Sequence, residues 1–351
     1  MKARSRLPVA MVAFAIALSA CSTEPGSATT SEAEPGLAQG QARSGSATRE
    51  QTAELLIANL DAVIAEYGDS ADPVKQSEVA SAFLEKAALL VELGRGEEAV
   101  VEYSEVVHRW GSSENPKLAP MVATALLESG AFLVVLGRPE EALVQYGELL
   151  DRWGDTEDPT LKTHVATALL EKAALLVVLG DAEQALGQYD ELAARWGDTE
   201  NPEVARQVVG ALLEKAALLV LMDRPDEAIV EYEQAIARFG DSDNPAMKEF
   251  MVTAFLRKAT LLVEVDRAED AVVDYDEVVL RWGDTENPQL APLVATALLE
   301  KAALLVELGR RDEAIAQYDD VTARWGDTEN PELAILVETA RDGKIALKSE
   351  T

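Results

Sequence analysis

Residues 287–326 read NPQLAPLVATALLEKAALLVELGRRDEAIAQYDDVTARWG. Asn287 suits a helix N-cap, and Pro288 suits the first helical position, where its missing N–H would be an orphan anyway. The run from Pro288 to Leu308 is dominated by Ala, Leu, Glu and Val. Its twenty-one residues predict a helix about 31 Å long. Pro292 falls near the first turn, where a proline is tolerated, and Gly309 suits a left-handed cap. A second helix is predicted from about Asp312 to Trp325. Its apolar positions Ala314, Ile315, Tyr318, Val321 and Trp325 recur at helical spacing. Gly326 ends it, and residues 327–331 (DTENP) lead into another hairpin.

The same punctuation recurs at Tyr67-Gly68-Asp69, Trp110-Gly111-Ser112, Trp153-Gly154-Asp155, Trp196-Gly197-Asp198, Phe239-Gly240-Asp241, Trp282-Gly283-Asp284 and Trp325-Gly326-Asp327, always 43 residues apart. Pro73, Pro116, Pro159, Pro202, Pro245, Pro288 and Pro331 keep the same step. A period of this length marks a solenoid, whose units bury their apolar faces against their neighbours. Six full hairpins follow, flanked by an unpaired second helix (residues 49–67) and an unpaired first helix (331–347). Gly343 and Lys348 break the apolar face of the latter. The aromatic that closes each second helix reads as core, a ring wedged between units.

The unit resembles a tetratricopeptide repeat. The residues that carry the likeness are Ala302, Gly309, Ala314, Tyr318 and, one register along, Val321; in another unit they are Ala228, Tyr232 and Ala235. The repeat is nine residues longer than the family's usual 34, with the surplus expected in the loop and the start of the first helix. The resemblance implies an all-α, right-handed superhelical solenoid of six 43-residue helix-turn-helix repeats over residues 49–347, acting as a protein-binding scaffold; the alternative is a passive structural or self-associating envelope lipoprotein.

It also implies that first helices line a partner-binding groove. The family's groove positions fall on Leu299, Glu300, Ala303 and Val306. The acid recurs as Glu85, Glu128, Glu171 and Glu214, and Arg257 breaks the row. Such a surface suits a partner segment with basic and aliphatic side chains. The competing reading is a solvated acidic row whose charge is blunted by Lys86, Lys172, Lys215, Lys258 and Lys301.

The charge is far from balanced: 31 Lys and Arg against 63 Asp and Glu, a net of -32. Nucleic acid and anionic lipid surfaces are therefore disfavoured partners, while basic partners are steered in. Since 48% of residues are apolar, the chain is not a disordered acidic tail. No nucleophile–His–acid set, phosphate-cradling glycine loop or zinc spacing appears. The acidic loops lack the EF-hand pattern, and helix capping explains them. The expectation is a non-enzyme with no cofactor, no metal and no small-molecule substrate.

Residues 1–20 read as a leader: Lys2, Arg4 and Arg6, then fourteen uncharged residues from Leu7 to Ala20. That stretch is too short to span a bilayer. Leu18-Ser19-Ala20-Cys21 resembles a bacterial lipobox, which implies cleavage before Cys21 and its lipidation. The solitary cysteine excludes an internal disulfide. Residues 21–48 read as the lipidated Cys and a Ser/Gly/Ala-rich flexible linker, and residues 348–351 as a tail. The expected location is the bacterial cell envelope, lipid-anchored, on the periplasmic face of an outer membrane where two membranes exist.

Overall fold

The computed structural model describes residues 38–113 and 115–349, with side chains from residue 49 onward. The leader, Cys21 and the linker up to residue 37 lie outside the described residues. All the described regular structure is helical, and the contacts divide the chain within one helix into two units, ending at Leu192 and beginning at Ala193. The first holds α1 (Ala38–Tyr67), α2 (Pro73–Glu92), α3 (Gly96–Trp110), α4 (Leu118–Val135), α5 (Pro139–Trp153), α6 (Pro159–Leu179) and most of α7 (Ala182–Trp196). The second holds α8 (Pro202–Leu221), α9 (Pro225–Phe239), α10 (Pro245–Glu264), α11 (Ala268–Trp282), α12 (Leu290–Glu307), α13 (Arg311–Trp325) and α14 (Pro331–Ser349).

From α1 to α6 in the first unit and from α8 to α14 in the second, each helix packs on the next, and first helices also pack on the first helix of the adjacent hairpin, as α2 on α4 or α10 on α12. The interior is built from small-against-large contacts. Ala99, Ala142, Ala228, Ala271 and Ala314 are wholly inaccessible, and the tyrosines four residues further on are buried. Gly130 shows how close the fit is: a Cβ there would lie 2.6 Å from Tyr146. The closing aromatics are core where the ring finds a partner. Trp110 packs edge-on against Phe83, and Trp282 against Phe255. Alone among the described helices, α4 is long and apolar enough to cross a membrane. It is instead packed within its unit, burying Leu118, Val122, Leu126 and Leu133.

The loops spend their polar atoms on backbone N–H groups. Asn201 accepts from the amides of Glu203 and Val204, while its own amide donates to Thr199 Oγ1 at 3.2 Å. Asp72, Asp158 and Asn244 repeat the cap, each followed by a proline that opens its helix. The type hairpin departs from this pattern. Its first helix starts at Leu290 rather than Pro288 and has 18 residues rather than twenty-one. Pro292 has no N–H to give the carbonyl of residue 288, so the first α-turn cannot close there. α4, with Pro120 four residues after Pro116, starts late for the same reason.

The two helix ends use glycine differently. Gly94, Gly137, Gly180 and Gly309 take positive φ, with Asp223 and Asp266 in the same conformation at the equivalent positions. The glycines after the closing aromatics stay right-handed, Gly283 at φ -56. Space is what they supply: a Cβ on Gly283 would lie 2.4 Å from Val279 O and 2.9 Å from Arg324 Nη1. Arg324 crosses from the next hairpin to donate to Gly283 O at 2.7 Å. This satisfies a carbonyl that the helix end leaves open.

Both flanking helices are longer than the sequence suggests. α1 begins at Ala38, inside the segment expected to be linker; no proline stands between Pro35 and Pro73 to stop it. α14 runs through Gly343 and Lys348 to Ser349. Gly343 does not break it, because the Tyr318 ring occupies the place of the missing side chain, 2.7 Å from a hypothetical Cβ.

A candidate partner-binding face

Leu299, Glu300, Ala303 and Val306 stand at i, i+1, i+4 and i+7, so α12 carries them on one side. Leu299 is half-buried and the other three are exposed. In the first unit Glu85 and Glu128 are exposed and Glu171 is half-buried; in the second, Glu214 is half-buried and Arg257 is exposed. Leucine recurs at the Leu299 position and valine at the Val306 position on every complete first helix. Leu213 is buried, so the leucine position is not exposed on every first helix.

The acidic positions sit above buried tyrosines. Tyr275 donates from its hydroxyl to Glu300 at 3.0 Å, twenty-five residues on. Burial pushes the Tyr275 hydroxyl up, and the Glu300 charge adds to the shift. Tyr103 behaves alike, pushed up to about 12 by burial and by Glu128. Although Glu128 and Glu300 keep exposed surface, desolvation by the packed helices raises their carboxyls and that of Glu171; the Glu128 charge pushes Glu171 up further, and His164 pulls Glu128 down. His164 bridges two first helices, with Nε2 3.0 Å from Thr124 Oγ1 and Nδ1 2.8 Å from Thr160 O. At the break in the row, burial pushes the Tyr232 hydroxyl up, and the Arg257 charge draws it back.

Four of the lysines beside this row pair with acids of the second helices. Lys86 pairs with Asp61 at 2.6 Å and Glu102 at 2.8 Å, on the second helices before and after it. Lys258 does the same with Glu233 and Asp274, Lys215 pairs with Glu231, and Lys301 with Asp276. Each takes the acids of the second helices packed beside it, where its stem is largely buried. Lys86, Lys258 and Lys301 thus tie one hairpin to the next.

The sequence reading missed an apolar patch in the first unit. Val134, Val135, Val178 and Leu179, at the ends of α4 and α6, are 40%, 75%, 58% and 38% exposed. Val135 and Val178 occupy the position that carries Glu92 in α2, Glu264 in α10 and Glu307 in α12. Aligning the repeats at this one position would have found it. Acid and aliphatic side chains share a face on α4 and α6: Glu128 lies seven residues before Val135, and Glu171 seven before Val178.

Residues 256–328 match the tetratricopeptide repeat family, a stretch that contains α11, α12 and α13. A search of curated proteins finds no match. Among solved structures, BtubC (BKLC) from P. vanneervenii is similar at 16% identity and a TM-score of 0.49, covering 66% of this chain and 88% of that one. PilF from Pseudomonas aeruginosa is similar at 15% identity and a TM-score of 0.41, covering 76% and 98%. A thermophilic tetratricopeptide protein from Thermus thermophilus is similar at 17% identity and a TM-score of 0.29, covering 63% and 99%.

Proposed function

We propose that the chain is a non-enzymatic protein–protein interaction scaffold, held by lipid on Cys21 in a bacterial envelope, that captures a partner segment on its first-helix face. The observation that carries the reading is the exposed Val135 and Val178, each seven residues, two helical turns, after Glu128 and Glu171 and so on the same helix face. Aliphatic side chains that water would otherwise surround drive association, and flanking carboxylates select a partner carrying Lys or Arg. An amphipathic helix with an apolar face and basic edges matches both requirements. The structured first unit offers this surface ready-made, which lowers the ordering cost of binding.

Site-specific photo-crosslinking from residue 135 or 178 in native membranes tests the reading. A discrete crosslinked partner is expected, and its loss on Glu171→Lys is expected with it. Crosslinking indistinguishable from that at an exposed second-helix position such as Val101 would refute it. The anchor is tested separately: Cys21→Ser should move the protein from the membrane to the soluble fraction.

A further inference from the structure

We propose that a second copy of this chain docks its α1 against α14, completing a hairpin between molecules. The contact is independent of the partner-binding face. α1 keeps the register of a second helix and α14 that of a first helix, and each exposes an aliphatic side chain, Leu56 and Ile345, on the face that the other kind of helix covers elsewhere. In complete hairpins a small residue of the first helix meets the tyrosine of the second, as Gly130 meets Tyr146. On α14 that small position is Ile345, 65% exposed, and on α1 the tyrosine position is Leu60, half-buried. Small-plus-large becomes two middle-sized side chains, a change that conserves the joint volume. Leu56 stands where the other second helices carry a wholly buried alanine, and it is 46% exposed.

The charges change together as well. Arg109, Arg281 and Arg324 reach from second helices to the glycine carbonyl of the preceding hairpin. On α1 the equivalent residue is Glu66. On α14, Arg341 already donates to Gly326 O at 3.3 Å. A docked α1 in the common register therefore brings Glu66 to Arg341, an opposite-charge pair where an arginine would have been repelled. The contact is heterologous, so each copy offers one surface of each kind.

Sedimentation velocity at physiological salt tests this, on the full chain carrying Cys21→Ser to remove the anchor. The parent should form dimers or larger species as concentration rises. Ile345→Asp and Leu56→Asp, each checked for unchanged helicity, should each be monomeric. An equimolar mixture of the two should give dimers and nothing larger, because each retains one intact surface. A monomeric parent, assembly that survives either substitution, or a mixture that stays monomeric would each overturn the proposal; the first is the outcome for two solvated caps.

Discussion

The Tyr275 hydroxyl donates a 3.0 Å hydrogen bond to Glu300, joining the second helix of one hairpin to the first helix of the next. Tyr275 is 3% exposed and its hydroxyl has Glu300 and Thr260 beside it, while Glu300 itself remains exposed. Glu300→Ala should cost about 1–3 kcal/mol by orphaning a buried donor. Glu300→Gln keeps an acceptor and should cost well under that. Urea denaturation of the two variants separates the outcomes; equal losses would show that the bond contributes nothing.

The carboxyls of Glu128, Glu171 and Glu300 are raised above their ordinary 4.5, chiefly by burial. The folded chain then binds protons more tightly than the unfolded chain, so these groups add stability as pH falls toward about 4.5. Glu98, Glu141, Glu227 and Glu313 are lowered by the arginine three residues before each. Their contribution is present above 4.5 and is lost as pH falls below it. Thermal unfolding should therefore show Tm rising as pH falls toward about 4.5 and dropping below it. Replacing Glu128, Glu171 and Glu300 together with Gln should flatten the rise while leaving the acid-side drop.

The hairpins were legible because their punctuation is local. A cap, a proline and a glycine act within a few residues of where they stand, and the 43-residue step repeats them. The late start of α12 was also local: Pro292 cancels the N–H that Pro288 O needs, and the same logic would have placed the start at Leu290. Pairing between hairpins was not legible. Nothing in LEKAALL says that Glu300 turns to Tyr275 while Lys301, one residue on, turns to Asp276. That choice depends on which second helix packs on which side of the first, a tertiary fact. The Ile345 and Leu60 exchange is visible only once contact partners are known.

Lys215 and Glu231 form a 2.8 Å pair in which the side chains are 12% and 9% exposed. Removing one charge at such a depth strands the other. Lys215→Met should destabilise by about 3 kcal/mol, and Lys215→Met with Glu231→Met should recover most of it, since an apolar pair tolerates the site. A double-mutant cycle in urea measures the coupling. Additive losses would mean that the two charges are solvated and act independently.

Val135 and Val178 give the binding proposal its sharpest control, because the repeat supplies the replacement. α2, α10 and α12 carry Glu92, Glu264 and Glu307 at that position in the same helical setting, so Val135→Glu and Val178→Glu should fold without loss of Tm. Covering an exposed valine with a partner stabilises a complex by up to about 1.5–3 kcal/mol, which is about tenfold or more in affinity. A synthetic amphipathic helix with a leucine face and lysine edges should bind the parent, and the doubly substituted chain should bind it at least tenfold more weakly. Because the substitutions add negative charge, electrostatic steering alone would strengthen binding of this cationic peptide. The sign of the change thus decides which force dominates: weaker binding identifies the aliphatic contact as dominant, and stronger binding would assign recognition to charge and retire the patch.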